Sequence, residues 1–322
     1  MAYALVDEKL QNVQEPLREA PAAQAEALLV KHEVTAESAG GSVANTMVAY
    51  EAYSGNPTRM FYTVGRDRRG QVFMNSTGAH LGRPQIEDDR PTGFCVLAIG
   101  DNGAIEDEIT IYGAAKDTQI PQEERRSLNS DLVMTNINTM RDQQAAEQVT
   151  ELLKHLNRNG IFALRLSGAH DLLASADVAQ GVINALPRQP QIVFGNTAEV
   201  TNITGSSDSL QALRFILPES RIFILTRGSE DILLRYEDEI SHIPYAIAEK
   251  VVDVTGAGDQ LMGVTLGELM QSDYAGWQRT DIERAIKIGT VAASYVVGTF
   301  DSRLDPSTLQ AIKRRGDDNY AK

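Results

Sequence analysis

VVDVTGAGDQ (residues 251–260) sets an apolar run directly against two glycines and a carboxylate. The run VVDV predicts a buried strand, and the residues that follow, QLMGVTLGELM, predict a helix. In an open α/β sheet, ligands bind beyond the carboxyl ends of the strands. Gly256, Ala257 and Gly258 would then fall at a helix N-terminus, where several backbone N–H groups have no intrahelical acceptor. Those groups and the helix dipole favour a nearby negative charge. Glycine allows the turn to be tight and a ligand to come close. The loop is a candidate anion hole, and Asp259 lies beside that anion in the first helical turn. A plainer reading makes Asp259 a helix-start residue that complements the dipole. A dinucleotide fingerprint fits worse, because Leu261 stands where the third glycine of G-x-G-x-x-G would fall.

The chain has 322 residues, enough for one large α/β domain or two modest ones. Its formal net charge is −14, from 30 basic and 44 acidic residues. A surface that negative repels a polyphosphate backbone, which argues against nucleic-acid binding. A small phosphate ligand remains compatible, since backbone N–H groups and a metal ion neutralise it locally. No apolar stretch reaches the roughly 18 residues of a membrane span. The N-terminus MAYALVDEKL lacks a basic region followed by a long apolar core, so a signal peptide is not expected. The single cysteine, Cys95, excludes an intrachain disulfide and reads as a small buried apolar residue. These features predict a cytoplasmic protein. His32, His80, His155, His170 and His242 are scattered without metal-ligand spacing.

Short apolar runs alternate with helical-period stretches and there is no repeat. DLVMTN (131–136), IFALRL (161–166), QIVFGN (191–196) and RIFILT (221–226) predict buried strands. Residues 142–158, 169–186 and 207–217 predict the helices between them, with long helices over 258–270 and 280–298. This alternation predicts βαβ units and a mostly parallel sheet covered on both faces. TGFCVLAI (92–99) and EDEITIY (106–112), joined by GDNGAI, predict a hairpin that would suit a lid.

Three further stretches carry polar groups at element ends. In AGGSVANT (39–46), Gly40 and Gly41 enter a helical pattern, and Asn45 lies one turn beyond Gly41. Paired glycines plus an amide suit a polyhydroxy ligand; the alternative is a helix start capped by Ser42. In GNTAE (195–199), Asn196 and Glu199 are spaced i, i+3 and face one way. They suit a hydrated Mg²⁺, or, as the competing account, a capping box. In LTRGSED (225–231), Thr226 and Gly228 suit phosphate contact; a plain turn between two strands is the other reading. Three such loops, each after a strand-like run, would open together on the carboxyl edge of the sheet.

In this order the stretches resemble the ribokinase-like (PfkB) family of carbohydrate and nucleoside kinases. AGGSVANT resembles the family's N-terminal GG signature and VGRDRRG its VGxDxxG segment. GNTAE resembles NxxE, LTRG the TxG turn, and DVTGAGD the C-terminal DTxGAGD signature, the most specific of the set. ALVD (4–7), the GGSxxNT form and AASYVVG (292–298) look most like the adenosine-kinase-type branch. The resemblance implies a single kinase domain over 1–322: a three-layer α/β/α fold with a mostly parallel central sheet and a small β lid, from about 5–35 and 90–115. It implies ATP and Mg²⁺ as cofactors. Asp259 would be the catalytic base, and Gly256, Ala257 and Gly258 the anion hole. Asp7, Gly40, Gly41, Ser42 and Asn45 would hold substrate hydroxyls. Asn196, Thr226 and Gly228 would serve ATP, and Asn196 and Glu199 would organise Mg²⁺ through water. Asp253 and Thr255 would belong to a site for a monovalent cation such as K⁺.

The implied activity is phosphorylation of the primary hydroxyl of a nucleoside, adenosine or a related purine nucleoside, or of a sugar. A sugar kinase of the same family and a non-catalytic nucleoside- or sugar-binding pseudo-kinase are the alternatives. The expected partner is a small-molecule substrate, with no nucleic acid and no membrane, in a monomer or homodimer. The chain departs from the family pattern at four places. Ala2 and Tyr3 stand where a first strand usually ends in GN. Asp231 replaces the second glycine of TxGxxG, and Leu261 and Val264 follow GAGD where Phe and Gly are usual.

Overall fold

The structure is a computed structural model that describes residues 2–6, 26, 29–30, 34–77, 82, 84–99, 102–127, 129–167 and 181–320. Asp7, most of the 5–35 lid stretch and much of the helix expected over 169–186 lie outside the described residues. The chain divides into two compact units. One comprises Met1–Gln119, Ala246–Glu268 and Ile288–Lys322; the other comprises Ile120–Tyr245 and Leu269–Lys287.

The first unit holds six strands: β1 (Ala2–Val6), β2 (Val34–Ala39), β3 (Thr63–Gly65), β4 (Gln85–Glu87), β5 (Thr92–Ile99) and β6 (Ile105–Gly113). β2, β1, β5 and β6 form one four-stranded sheet in that order, and β3 and β4 a small parallel pair. β5 and β6 are the expected hairpin, with Phe94 opposite Ile111 and Val96 opposite Ile109. β1 runs parallel to β5 and antiparallel to β2. Cys95 is buried, as its apolar setting predicts.

The GRDRRG segment is explained by its carboxylate. Asp67 accepts hydrogen bonds from the Gly70 amide (2.7 Å), the Thr92 amide (2.8 Å) and the Thr92 hydroxyl (2.7 Å). The same hydroxyl sits 2.9 Å from the Gly65 amide, so one side chain ties β3, the Arg68–Thr77 helix and β5 together. Gly70 permits it: a Cβ there would lie 2.4 Å from the Gly65 carbonyl oxygen.

The second unit is built on β7 (Ser130–Asn136), β8 (Leu156–Arg165), β9 (Ile192–Asn196), β10 (Ile222–Thr226), β11 (Ile232–Tyr236) and β12 (Glu239–Ile243). These form one six-stranded sheet in the order β12-β11-β10-β9-β8-β7. The first four are parallel, as the alternating pattern predicts, and β11 and β12 turn back antiparallel. Phe162, Leu164, Val193, Phe223, Leu225 and Leu233 point to one face and pack with Val149, Leu153, Val200 and Leu213 from helices. Ile161, Ala163, Ile192, Ile222 and Ile224, alternating with them, are buried as well. Burial on both faces is why these strands read as continuous apolar runs. The helix expected over 142–158 ends at Lys154, because β8 already begins at Leu156, which pairs with Ser130 ahead of the apolar run.

One expected strand is absent. Val251–Val254 takes no part in a sheet, and Val251 and Val254 are exposed. Its amides go elsewhere: Val252 and Asp253 both donate to the Val297 carbonyl (2.7 and 3.2 Å), and Val254 donates to Gly103 (3.1 Å). Two β-branched residues beside another valine suggested a strand, but no neighbouring strand completes a ladder. No helix among the described residues is long and apolar enough to cross a membrane.

The Asp67 clamp has a measurable signature. Burial pushes its carboxyl up, but the bonds from Thr92 and Gly70 and the charge of Arg69 outweigh burial and hold it below the usual value. A carboxyl depressed on folding stabilises above its unfolded value, near 4, and loses that contribution as pH falls through its folded value. Asp67→Asn is expected to cost about 1–2 kcal/mol at neutral pH, with the gap to the parent closing below about pH 4, in urea melts across pH.

Candidate active site

The glycine loop ends in the Ala257–Leu269 helix, whose first turn carries Asp259. Gly256 has φ +83°, and a Cβ on it would lie 2.4 Å from the Ser302 carbonyl oxygen. Only glycine fits that contact. Ala257 donates back to Val254 (3.2 Å) in the turn, and Gln260 donates to Gly256 (2.9 Å).

The GG segment arrives by helix packing. The Ser42–Ser54 helix starts after Gly41, whose φ of 99° makes it the N-cap. Ser42 already lies inside the helix, so the cap is the glycine and not the serine. This helix lies tightly along Ala257–Leu269. A Cβ on Gly263 would meet the Thr46 carbonyl oxygen at 2.5 Å and Ala49 Cβ at 2.7 Å, and one on Gly267 would meet Tyr53 at 3.0 Å. A third glycine, Gly289, brings the Arg279–Val296 helix against Leu261 and Thr265 in the same way. Val264 and Leu261, unusual for the pattern at their positions, are simply buried core.

That packing places Asn45 against Asp259. Asn45 is 0% exposed and Asp259 4%. The Asn45 Nδ2 donates to Asp259 Oδ2 at 2.9 Å. Its Oδ1 accepts from Arg303 Nε at 2.8 Å. Arg303 also donates to Ser76 Oγ (3.1 Å) and lies over the Phe73 ring. Asn45, expected to face a substrate hydroxyl, here holds the carboxylate of Asp259. Next to Arg303, Ser302 donates to the Ala39 carbonyl (3.0 Å) and accepts from Gln260 Nε2 (3.2 Å), joining the GG and GAGD segments. Neither Ser302 nor Arg303 was evident in the sequence. TFDSRLD matches no motif, and its contacts to Asn45 and Ala39 come from positions more than 200 residues away.

Asp253 is buried, with Oδ1 accepting from the Thr255 amide at 2.7 Å. Burial pushes its carboxyl up, and hydrogen bonds from Thr255 offset part of that rise.

In the other unit, Asn196 and Thr226 are register partners at the carboxyl ends of parallel β9 and β10. Asn196 caps the Thr197–Thr204 helix: its Oδ1 accepts from the Glu199 amide (2.8 Å), and Glu199 Oε2 accepts from the Asn196 amide (2.9 Å). The competing account, a capping box, is therefore present. Thr226 donates its hydroxyl to the Gly195 carbonyl (3.4 Å). Gly228 has φ +67° in the turn from β10 to antiparallel β11, with open space where a Cβ would stand. Asp231, which stands at the replaced glycine, pairs through its carboxylate with Arg227 and His242, and Arg227 also pairs with Glu230 at 2.9 Å. No group of three or more His, Cys, Asp or Glu side chains suited to a metal occurs among the described residues.

The family model for pfkB family carbohydrate kinases matches residues 6–309. The chain belongs to that family. It is thus a phosphotransferase acting on a hydroxyl group, of a family that uses ATP. Among curated proteins it is 21% identical to Adenosine kinase 2 of Arabidopsis thaliana over 279 residues, 80% of this chain and 78% of that protein. Among solved structures it resembles the adenosine kinase from Sinorhizobium meliloti, with a TM-score of 0.82 and 20% identity, covering 98% of this chain and 96% of that one. It resembles equally well a probable sugar kinase from Rhizobium etli CFN 42, with a TM-score of 0.81 and 19% identity over 98% and 96% of the two chains. These likenesses establish the ribokinase-like α/β/α fold with its mainly parallel sheet.

The two family glycines Gly256 and Gly228 should respond differently to a methyl group. Gly256→Ala meets a backbone oxygen at 2.4 Å and is expected to cost about 2–4 kcal/mol in denaturant melts. Gly228→Ala has open space and only the positive φ to oppose it, so about 1–2 kcal/mol is expected.

Proposed function

We propose that this kinase transfers the terminal phosphoryl group of ATP to the primary hydroxyl of a nucleoside, adenosine or a related purine nucleoside. The observation that carries the reading is the buried carboxylate of Asp259, held by Asn45 in the first turn of a glycine-led helix. In this reading Asp259 takes the proton from the acceptor hydroxyl. The Gly256–Gly258 loop and its dipole receive the charge that develops on the migrating group. Phosphoryl transfer depends mainly on positioning and charge stabilisation, and a fixed amide donor in analogous sites contributes about 2.7–4 kcal/mol. Gly40, Gly41 and Ser42, with Asp7, would hold substrate hydroxyls, and Thr226 and Gly228 would contact ATP. The likeness to Arabidopsis Adenosine kinase 2 over most of the chain supports a nucleoside acceptor. The likeness to a probable sugar kinase keeps a sugar as the second reading.

Asn196 and Glu199 do not fit direct coordination of Mg²⁺. Asn196 Oδ1 and Glu199 Oε2 are spent on each other's amides, and Glu199 is 4% exposed. What the pair leaves is an outer-sphere role through metal-bound water. Asp253 fits a monovalent cation better. Its buried carboxyl has a raised pKa, so any stability it adds is present below its unfolded value, near 4, and is lost as pH rises through the folded value. Once ionised, the group opposes folding, and a cation held by Asp253 and Thr255 would supply the missing positive charge.

Two measurements test these assignments. Asp259→Asn is expected to lower turnover by at least about a hundredfold, with ATP affinity by calorimetry within a few-fold of the parent. Unchanged turnover removes Asp259 as the base, and a screen of adenosine, inosine, guanosine, ribose and fructose ranks the acceptor. Replacing tetramethylammonium by K⁺ at neutral pH should raise the melting temperature by a few degrees, and Asp253→Asn should erase that gain. Identical melts in both salts would remove the cation site.

A further inference from the structure

We infer that Arg303 is a positioning residue for phosphoryl transfer, acting through Asn45 on the Asp259 carboxylate. The inference rests on the reading of Asp259 as the base. Its grounds are the hydrogen-bond chemistry of three side chains. Arginine can only donate, and an ionised carboxylate can only accept. Asn45 stands between one of each, with Oδ1 2.8 Å from Arg303 Nε and Nδ2 2.9 Å from Asp259 Oδ2. The amide can satisfy both neighbours in one orientation only. Rotated by half a turn, it would set Nδ2 against the guanidinium and Oδ1 against the carboxylate. Arg303 therefore decides which end of Asn45 meets Asp259.

Three features make this control effective. Asn45 is fully buried, so water does not compete for either end of its amide. A charged donor on Oδ1 polarises the amide and strengthens the N–H at its other end. The guanidinium is itself held, by Ser76 Oγ at 3.1 Å and by the face of Phe73 with the cation 5.8 Å from the ring centroid. A carboxylate is planar, so fixing Oδ2 together with the backbone of the first helical turn fixes the direction of Oδ1. General-base catalysis is sensitive to that direction, because the base must reach the hydroxyl proton along a hydrogen bond. Arg303 adjoins Ser302, whose carbonyl backs Gly256, so the same loop sets the glycine turn and the carboxylate.

The test compares side chains of similar length. In Gln, Nε2 occupies the chain position of arginine Nε, and in Met no donor is there. Arg303→Met is expected to lower kcat about ten- to a hundredfold with KM for the acceptor within threefold, and Arg303→Gln to restore kcat to within about threefold. In an Asn45→Ala background, Arg303→Met should add less than about a twofold further loss. Circular dichroism checks that each variant is folded. Should Arg303→Met fail to fold, Arg303→Lys replaces it: its ammonium lies one atom beyond the Nε position, so kcat should remain low despite the retained charge. Equal kcat in the Met and Gln variants, a loss confined to KM, or rescue by Lys and not by Gln would each overturn the inference. Asp259→Asn separates the two readings: if that variant is inactive while Arg303→Met matches the parent, the base assignment stands and the positioning role falls.

Discussion

The close contact between the Ser42–Ser54 and Ala257–Leu269 helices is the constraint on which the site depends. Gly263 and Gly267 let backbone and side chains of the first helix approach to distances no Cβ would allow. Both helices begin at glycine segments with positive φ, so bringing the helices together also brings their starts together. Asn45 and Asp259 meet there across 214 residues of sequence. Burial follows from the same packing, and it strengthens the amide–carboxylate bond by excluding water. A larger residue at Gly263 would separate the helices before it touched any ligand. The glycine that matters most here is Gly263, beneath Thr46, and the next position accepts Val264.

The loop after the Arg279–Val296 helix completes the arrangement. Ser302 bonds Ala39 on one side and Gln260 on the other, and its carbonyl presses on Gly256. Val252 and Asp253 hang from the Val297 carbonyl just before it. The GAGD turn is thus shaped from behind by the carboxyl end of a helix, where the sequence predicts a strand. That support explains how an unpaired VVDV segment can still hold its turn: two of its amides are satisfied by the Val297 carbonyl at a helix end and the third by Gly103 in the turn between β5 and β6.

The parts legible in the sequence were those written as local pattern. Phe162, Leu164, Val193 and Phe223 alternate with other buried residues, so four parallel strands could be read from runs of three or four apolar residues. The hairpin of β5 and β6 was visible because its polar turn separates two apolar segments. VVDV misled for the same reason: its composition is strand-like, and only the absence of a pairing neighbour decides against it. The role of Asn45 could not be read at all. Spacing placed it near the glycine loop, but its direction depends on Arg303, and nothing in TFDSRLD signals a partner in the first fifty residues. Site geometry built from long-range contacts leaves little trace in any short window.

The departures from the family pattern weigh less once their surroundings are known. Asp231 brings a carboxylate into a turn where glycine is usual, but Arg227 from the same turn and His242 from β12 take up its charge. Arg227 and Asp231 are half-buried and His242 is exposed, and a pair open to water on one side generally contributes below about 1 kcal/mol. Their effect is on the local field: the guanidinium beside Asp231 offsets part of the repulsion that a carboxylate exerts on a phosphate, although Glu230 shares that guanidinium at 2.9 Å. The arginine also donates to the Asp231 carbonyl at 3.1 Å, which closes the turn without the glycine. The contacts that meet Asp231 therefore come from its own turn and from β12.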